Sequence, residues 1–414
     1  MSISTSGNDL VLSGSFNREA LQRSCAAIHN LRKQGCTSVN IDMTKLATGF
    51  AADLLPFATH CRALLIDGFG AFLRLPEDPK FSRLFVNSNW AHLIDPRQFD
   101  PSSFASNKHL PAMIYVDAET HYQSVNQIMN KLLGSLEGFS RDQLAALEWA
   151  VNEITDNVLN HADSRVGGVV QLTTFSKSGI VEFIVCDTGV GIPKTLRDAH
   201  VHLTSDVDAL DRAIREGVTR NRQTNMGNGL FGSYRISQLS NGYFSIYSGY
   251  AMLSLTKKAG LHVAKQAIPY QGTAIVCGIA TDNPNLLSEA LAFKGEKYTP
   301  GYSYVDKLVE DGGATIVLTN EAKSFGSRDV AKPVRIKIEN LLSAAPERVE
   351  IVLDDVALIS SSFADEVFGK LFVQLGPITF MNRLKISGGN NVVRQLIDRA
   401  ITQRVALGKN SPYG

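Results

Sequence analysis

The chain has 414 residues, 44% of them hydrophobic and 20% charged, with a formal net charge of +1. That length predicts two or three domains of an ordinary globular protein. The balanced charge excludes a global field favouring nucleic acid or an anionic membrane, and the five irregularly spaced cysteines (Cys25, Cys36, Cys61, Cys186, Cys277) exclude a zinc ribbon or a disulfide framework.

The opening MSISTSGNDLVLSGS has no basic stretch followed by an apolar run, so it does not read as a secretion signal. No segment approaches the roughly 20 apolar residues of a membrane span. A cytoplasmic protein with no nucleic-acid and no membrane partner is expected. A first segment, residues 1–110, predicts a helix over Asn17–Gly35, a strand over Val39–Met43 and an apolar helix over Phe50–Leu65. A strand over Ala71–Leu75 and a helix over Phe81–Ile94 follow, and Asp95–Pro111, rich in Pro, Ser and Asn, reads as a linker. Cys25 with His29, and His60 with Cys61, read as small buried residues rather than metal ligands.

The middle segment, residues 111–282, carries the chemistry. Ser140–Ala162 predicts a helix capped by Ser140, with Leu147, Val151, Ile154 and Val158 as its apolar stripe. Glu153, Asn157 and Asn160 form a second stripe about a quarter turn away. Asn is a poor helix former, so its recurrence at 152, 157 and 160 asks for a reason other than propensity. A carboxylate and an amide oxygen one turn apart suit a hard cation and a water near phosphates. Next, IVEFIVCDTGVGIP predicts a buried strand ending at Asp187 and a glycine turn. Asp187 is either an ordinary turn cap or an acceptor for the exocyclic amine of adenine. The run MGNGLFGSYRIS places three glycines before an amphipathic segment, which offers backbone N–H groups to phosphates. The polar stretch before it, with Arg215, Arg220 and Arg222, reads as a mobile lid. Finally QGTAIVCG predicts a strand entered through Gly272 and Thr273.

The last segment, residues 283–414, repeats the order of the first. Helices are expected over Val334–Ala345, started by Pro333, then over Ser362–Gly376 and Asn391–Arg404, with strands at Val349–Leu353 and Leu384–Ser387. TKLATGFAADLL and DDVALISSSFADEVF each put a short loop between strand and helix, as in two degenerate copies of one α/β unit.

Glu153-x3-Asn157-x3-His161, then Asp187-x-Gly189-x-Gly191, then the glycine-rich lid, then Gly272-Thr273, in that order and spacing, closely resemble the GHKL ATPases over about Gln123–Ala280. The resemblance implies an α/β fold, an α+β sandwich of the Bergerat type, that binds ATP with Mg2+. It implies Glu153 as catalytic base, Asn157 as Mg2+ ligand and Asp187 as adenine reader. Asn160, His161, Gly189, Gly191, Ile192 and Thr273 are then further nucleotide-site positions. Gly227, Asn228, Gly229, Leu230, Phe231 and Gly232 would form the lid, where Phe231 occupies a position usually held by glycine.

A sensor histidine kinase would need a phosphoacceptor His before this domain, and the surroundings of His121, AETHYQSVN, lack the pattern that follows one. Gyrase- and chaperone-like members continue into a transducer domain, which the last segment does not resemble. The run EIVLDDVALISSSFADEVF is instead similar to STAS-type domains, in which a loop serine is phosphorylated by a GHKL kinase; Ser361 falls nearest, between Ser360 and Ser362. The first segment resembles the same fold more faintly, with Thr48 in its loop. Helix capping is the other reading of the three serines. The resemblance implies a bacterial ATP-dependent regulator of protein contacts, with a protein partner or a homodimer formed through STAS-like domains. A partner-switching Ser/Thr kinase leads; an ATPase that drives a dimer switch, and a non-catalytic ATP sensor, are the alternatives.

Overall fold

The computed structural model describes residues 2–102, 104, 108–199, 202–215, 229–291, 304, 313–344 and 348–409. The chain packs as two units, one of residues 1–128 and 149–294, the other of residues 129–148 and 295–414.

The first unit is built on two sheets. Strands β1 (Ser2–Ser6), β2 (Asp9–Phe16), β3 (Ser38–Asp42) and β5 (Gly70–Arg74) lie in that order, with β4 (Leu46–Gly49) added beside β2. The pairs β2–β3 and β3–β5 are parallel, so each is joined by a crossover helix, α1 (Arg18–Lys33) and α2 (Ala51–Ile66). The expected helix over Phe81–Ile94 is two helices, α3 (Pro79–Asn87) and α4 (Trp90–Ile94). Asn89, at φ 65°, turns the chain left-handed between them.

The second sheet is antiparallel, in the order β6 (His109–Tyr115), β7 (Gly168–Phe175), β8 (Ile180–Cys186), β10 (Gly260–Ala280) and β9 (Tyr243–Thr256). Strands β7 and β8 and the second half of β10 lack the polar alternation of a half-wet sheet because both their faces are covered, whereas residues 260–269 of β10 are largely exposed. Ile184 and Cys186 of β8, Val169 of β7, and Ala274 and Val276 of β10 join one core with Leu54, Phe57, Ala58 and Cys61 of α2. Val185, Thr273 and Ile275 point the opposite way, toward the helix α6 (Arg141–His161). Helix α2 is apolar nearly all round, as a helix buried on several sides requires. Two contacts tie the first segment to the second sheet: Trp90 Nε1 donates to Gln171 Oε1 (2.8 Å), and the Arg18 guanidinium, which also pairs with Asp53 of α2, lies over the Tyr247 ring. Residues on the two sides of position 110 thus share a core.

The second unit has a parallel sheet, β11 (Gly313–Val317), β12 (Arg348–Val352) and β13 (Leu384–Ser387), in sequence order. This is the same strand–helix–strand–helix–strand order as β2–β3–β5. Its first long helix runs from Arg328 to Ala344, so Pro333 lies inside it rather than at its start. The next begins at Ser361, passes through a π-turn at Asp365–Gly369, breaks at Gly376 (φ 72°, ψ 162°) and resumes to Arg383. The last spans Asn391–Lys409. Residues 129–148 are held here by the fully buried Asn340. Its amide donates to the carbonyls of Leu133 (2.8 Å) and Leu136 (2.7 Å) and accepts from the N–H groups of Gly138 (3.1 Å) and Phe139 (3.0 Å). Arg335 adds ion pairs to Glu137, Glu339 and Glu366.

Candidate functional site

Ser140 opens α6 with a reciprocal cap: its hydroxyl accepts from Gln143 N (3.1 Å), and Gln143 Oε1 accepts from Ser140 N (2.8 Å). The helix then lays Ile154, Val158 and Ala162 along the floor of a cleft, with Glu153, Asn157 and His161 on the same wall. The opposite wall comes from Val185 and Asp187 of β8 and its turn, and from Thr273 and Ile275 of β10. Helix α7 (Ile192–Ala199), α8 (Asp206–Ala213) and the first residues of α9 (Gly229–Leu239) close the sides with Ile192, Thr195, Leu196, Ala213, Gly229 and Leu230. The cleft encloses roughly 900 Å3 with its open mouth included.

Most of the expected residues meet here, but not all. Asn160 is exposed and donates to Asp156 (2.5 Å), because three residues past Asn157 the helix has turned it to solvent. Phe231 is half-buried on α9 and lies off the cleft wall. Gly232 is buried where any side chain would collide with the Trp149 ring, so it serves the packing of α9 on α6 rather than the cleft. Gly189 lies under the end of α6, where a Cβ would strike the Ala162 carbonyl. Gly229 does face the cleft, and a Cβ there would collide with Glu153 Oε2. Gly227, Asn228, Arg220 and Arg222 lie outside the described residues, and Arg215 pairs with Asp211.

The two carboxylates differ in setting. Asp187 is buried, and burial raises its carboxyl to about 7 against the downward pull of hydrogen bonds from the backbone of Gly189 and Thr273. Glu153 is raised above the ordinary carboxylate range by burial and then by the nearby Asp156. A carboxyl displaced upward inside a cleft is suited to proton transfer near neutrality. Among the described residues, no cluster of three or more His, Cys, Asp or Glu side chains could hold a metal ion alone. Among the described residues, no helix is long and apolar enough to cross a membrane.

Sequence reasoning missed Ser248, which lies behind the Asp187 wall. Its fully buried hydroxyl donates to Gly272 O (2.7 Å), accepts from Ile192 N (3.0 Å) and lies 3.0 Å from Thr273 Oγ1. Gly191, at φ 78°, leaves room for it; a Cβ there would stand 2.7 Å from Ser248 Oγ. The signal in the sequence is a Ser-Gly pair interrupting the aromatic strand YFSIYSGYAML.

At the second candidate position, Ser360 rather than Ser361 is the helix cap: its Oγ accepts from Phe363 N (3.0 Å) and sits 3.0 Å from Ser362 Oγ. Ser361 is exposed at the first helical position. In the first segment, Thr48 is exposed with its hydroxyl 2.7 Å from Ser15 Oγ.

Residues 142–281 match the family of histidine kinase-, DNA gyrase B-, and HSP90-like ATPases, and residues 330–394 match a STAS-like domain of unknown function (DUF4325). No curated protein matches the chain. The chain therefore carries a GHKL ATPase domain and, after it, a STAS-like domain. The first of these implies ATP binding and a regulatory ATPase or kinase-like role.

Proposed function

We propose that this protein is an ATP-dependent partner-switching kinase, which transfers a phosphoryl group from Mg·ATP to a serine or threonine on a STAS-like surface. The observation that carries the reading is the convergence of Glu153, Asn157, Asp187, Gly229 and Thr273 on one cleft. Asp187 and Thr273 would face the base, and the N-terminal turn of α9 at Gly229 would face the phosphates. The donors present fit a hard cation: the Asn157 amide would hold Mg2+ together with the phosphates, supplying charge neutralisation during transfer. Glu153, held against Gly229, would take the proton of the attacking hydroxyl or water.

The exposed Ser361 supports a STAS-side acceptor, because a phosphate there would displace no cap and would lie at a helix N-terminus. The first segment is proposed as a second STAS-like domain on the strength of its strand order. Its helices pack on the ATPase sheet, which favours a fixed scaffold over an exchanging partner. The test is incubation of the pure protein with radiolabelled ATP and Mg2+. Label on the protein, lost in Ser361→Ala and in Glu153→Gln, is expected. Label released only as free phosphate would establish an ATPase that works through its nucleotide state instead. Unchanged ATP would leave a sensor.

A further inference from the structure

A hydroxyl group has one proton to give and two lone pairs that accept. Ser248 gives its proton to the carbonyl of Gly272, which can only accept, at 2.7 Å. One of its lone pairs takes the N–H of Ile192 at 3.0 Å. What remains for Thr273 Oγ1, 3.0 Å away, is the second lone pair. Thr273 must therefore be the donor in that contact, and its own single proton is used up inside the wall. Its lone pairs alone are left for the cleft, which Thr273 lines beside Asp187. The two residues are locked to each other, since Asp187 N donates to Thr273 O at 2.8 Å. With Asp187 ionised, the base-facing wall so built offers acceptors and no donor from these two side chains.

From this geometry we infer that Ser248 is a specificity-determining positioning residue: by fixing Thr273 as an acceptor, it sets the wall to receive a 6-amino purine and to repel a 6-oxo purine. An exocyclic amine supplies donors to both acceptors, whereas a 6-carbonyl opposes lone pair to lone pair. Without Ser248, the Thr273 hydroxyl can turn and donate into the cleft, and the repulsion of a carbonyl is relieved. The inference deepens the nucleotide-site reading and rests on it.

The test is the ratio of dissociation constants for ATP and inosine triphosphate, measured by calorimetry on the full chain at pH 8, where Asp187 is ionised. The wild type is expected to prefer ATP by at least about tenfold, the scale of one lost charge-assisted hydrogen bond. In Ser248→Ala the ratio is expected to fall several-fold toward one, even if both affinities drop. Thr273→Val, which removes the hydroxyl and keeps the side-chain shape, serves if the alanine variant fails to fold, and its ratio should fall likewise. Adding Ser248→Ala to Thr273→Val should then change the ratio no further. Equal losses for both nucleotides, with the ratio kept, would make Ser248 a purely structural residue and overturn the inference. A wild type that binds both nucleotides alike would overturn it while leaving the site standing. A wild type that binds neither would remove the nucleotide reading itself, and the inference with it.

Discussion

Asp187 makes nucleotide affinity depend on pH in a predictable direction. Its carboxyl sits at about 7, raised by burial. An amine donor from adenine bonds to the ionised form better than to the acid, so binding favours deprotonation and protonation competes with the ligand. If only the ionised form binds, the apparent dissociation constant scales as one plus the ratio of protonated to ionised carboxyl. With half-protonation at about 7, affinity is nearly full at pH 8, halved at pH 7 and about tenfold weaker at pH 6. The same burial acts on folding with a definite sign. A carboxyl raised in the folded state contributes stability that is complete below the ordinary carboxylate range and is lost as pH rises through about 7. Nucleotide should restore that loss. The assay is calorimetric titration with adenosine at pH 6, 7 and 8. Adenosine carries no phosphate, so the profile belongs to the protein. Asp187→Asn cannot titrate and should give a flat profile at whatever affinity it retains. A wild-type profile as flat as that of the Asn variant would refute the placement of an uncompensated carboxylate against the base.

Other expectations follow from individual contacts. Ser360→Ala should cost about 1 kcal/mol in denaturant unfolding through loss of the cap, whereas Ser361→Ala should lie within about 0.5 kcal/mol of wild type. Asn340→Ala strands two carbonyls and two N–H groups around residues 133–139. It should destabilise the second unit by about 4 kcal/mol, read as early loss of hydrogen-exchange protection there. Gly232→Ala must push α9 off the Trp149 ring, at a cost of about 1–3 kcal/mol, seen as a lowered Tm.

Much of the site was legible because its chemistry is written at fixed spacing on single elements. Glu153, Asn157 and His161 recur every four residues, and a helix must bring them to one wall. Asp187 was legible because it directly follows a buried strand and precedes a glycine turn; Thr273 was expected to open a strand but lies inside the long β10, just past a register shift beside Gly272 where the strand becomes buried. The same reasoning grouped Gly232 with the lid glycines. Gly232 looks like one more phosphate glycine in sequence, yet it is small because an indole lies against it, and no local pattern reveals the partner of a close contact. Asn160 shares the Asn-rich run with Asn157, but the rotation per residue separates them into cleft and solvent. Ser360 and Ser361 are indistinguishable by type, and only the backbone entering the helix decides which oxygen caps it.

By itself, then, the sequence determined the α/β class, the two repeated strand–helix orders and the polar residues of the cleft, since each depends on periodicity or spacing along one element. Tertiary structure alone decided three things. It put the first segment into one core with the ATPase sheet, although a linker composition lies between them. It assigned residues 129–148 to the second unit through the buried side chain of Asn340, some two hundred residues away in the chain. It also fixed the direction of the Thr273 hydroxyl through Ser248 on a neighbouring strand. The physical reason is the same in each case. Periodicity tells which face of an element is buried, but the identity of what covers that face, and which proton is shared across it, depends on strands and helices that meet only after the chain has folded.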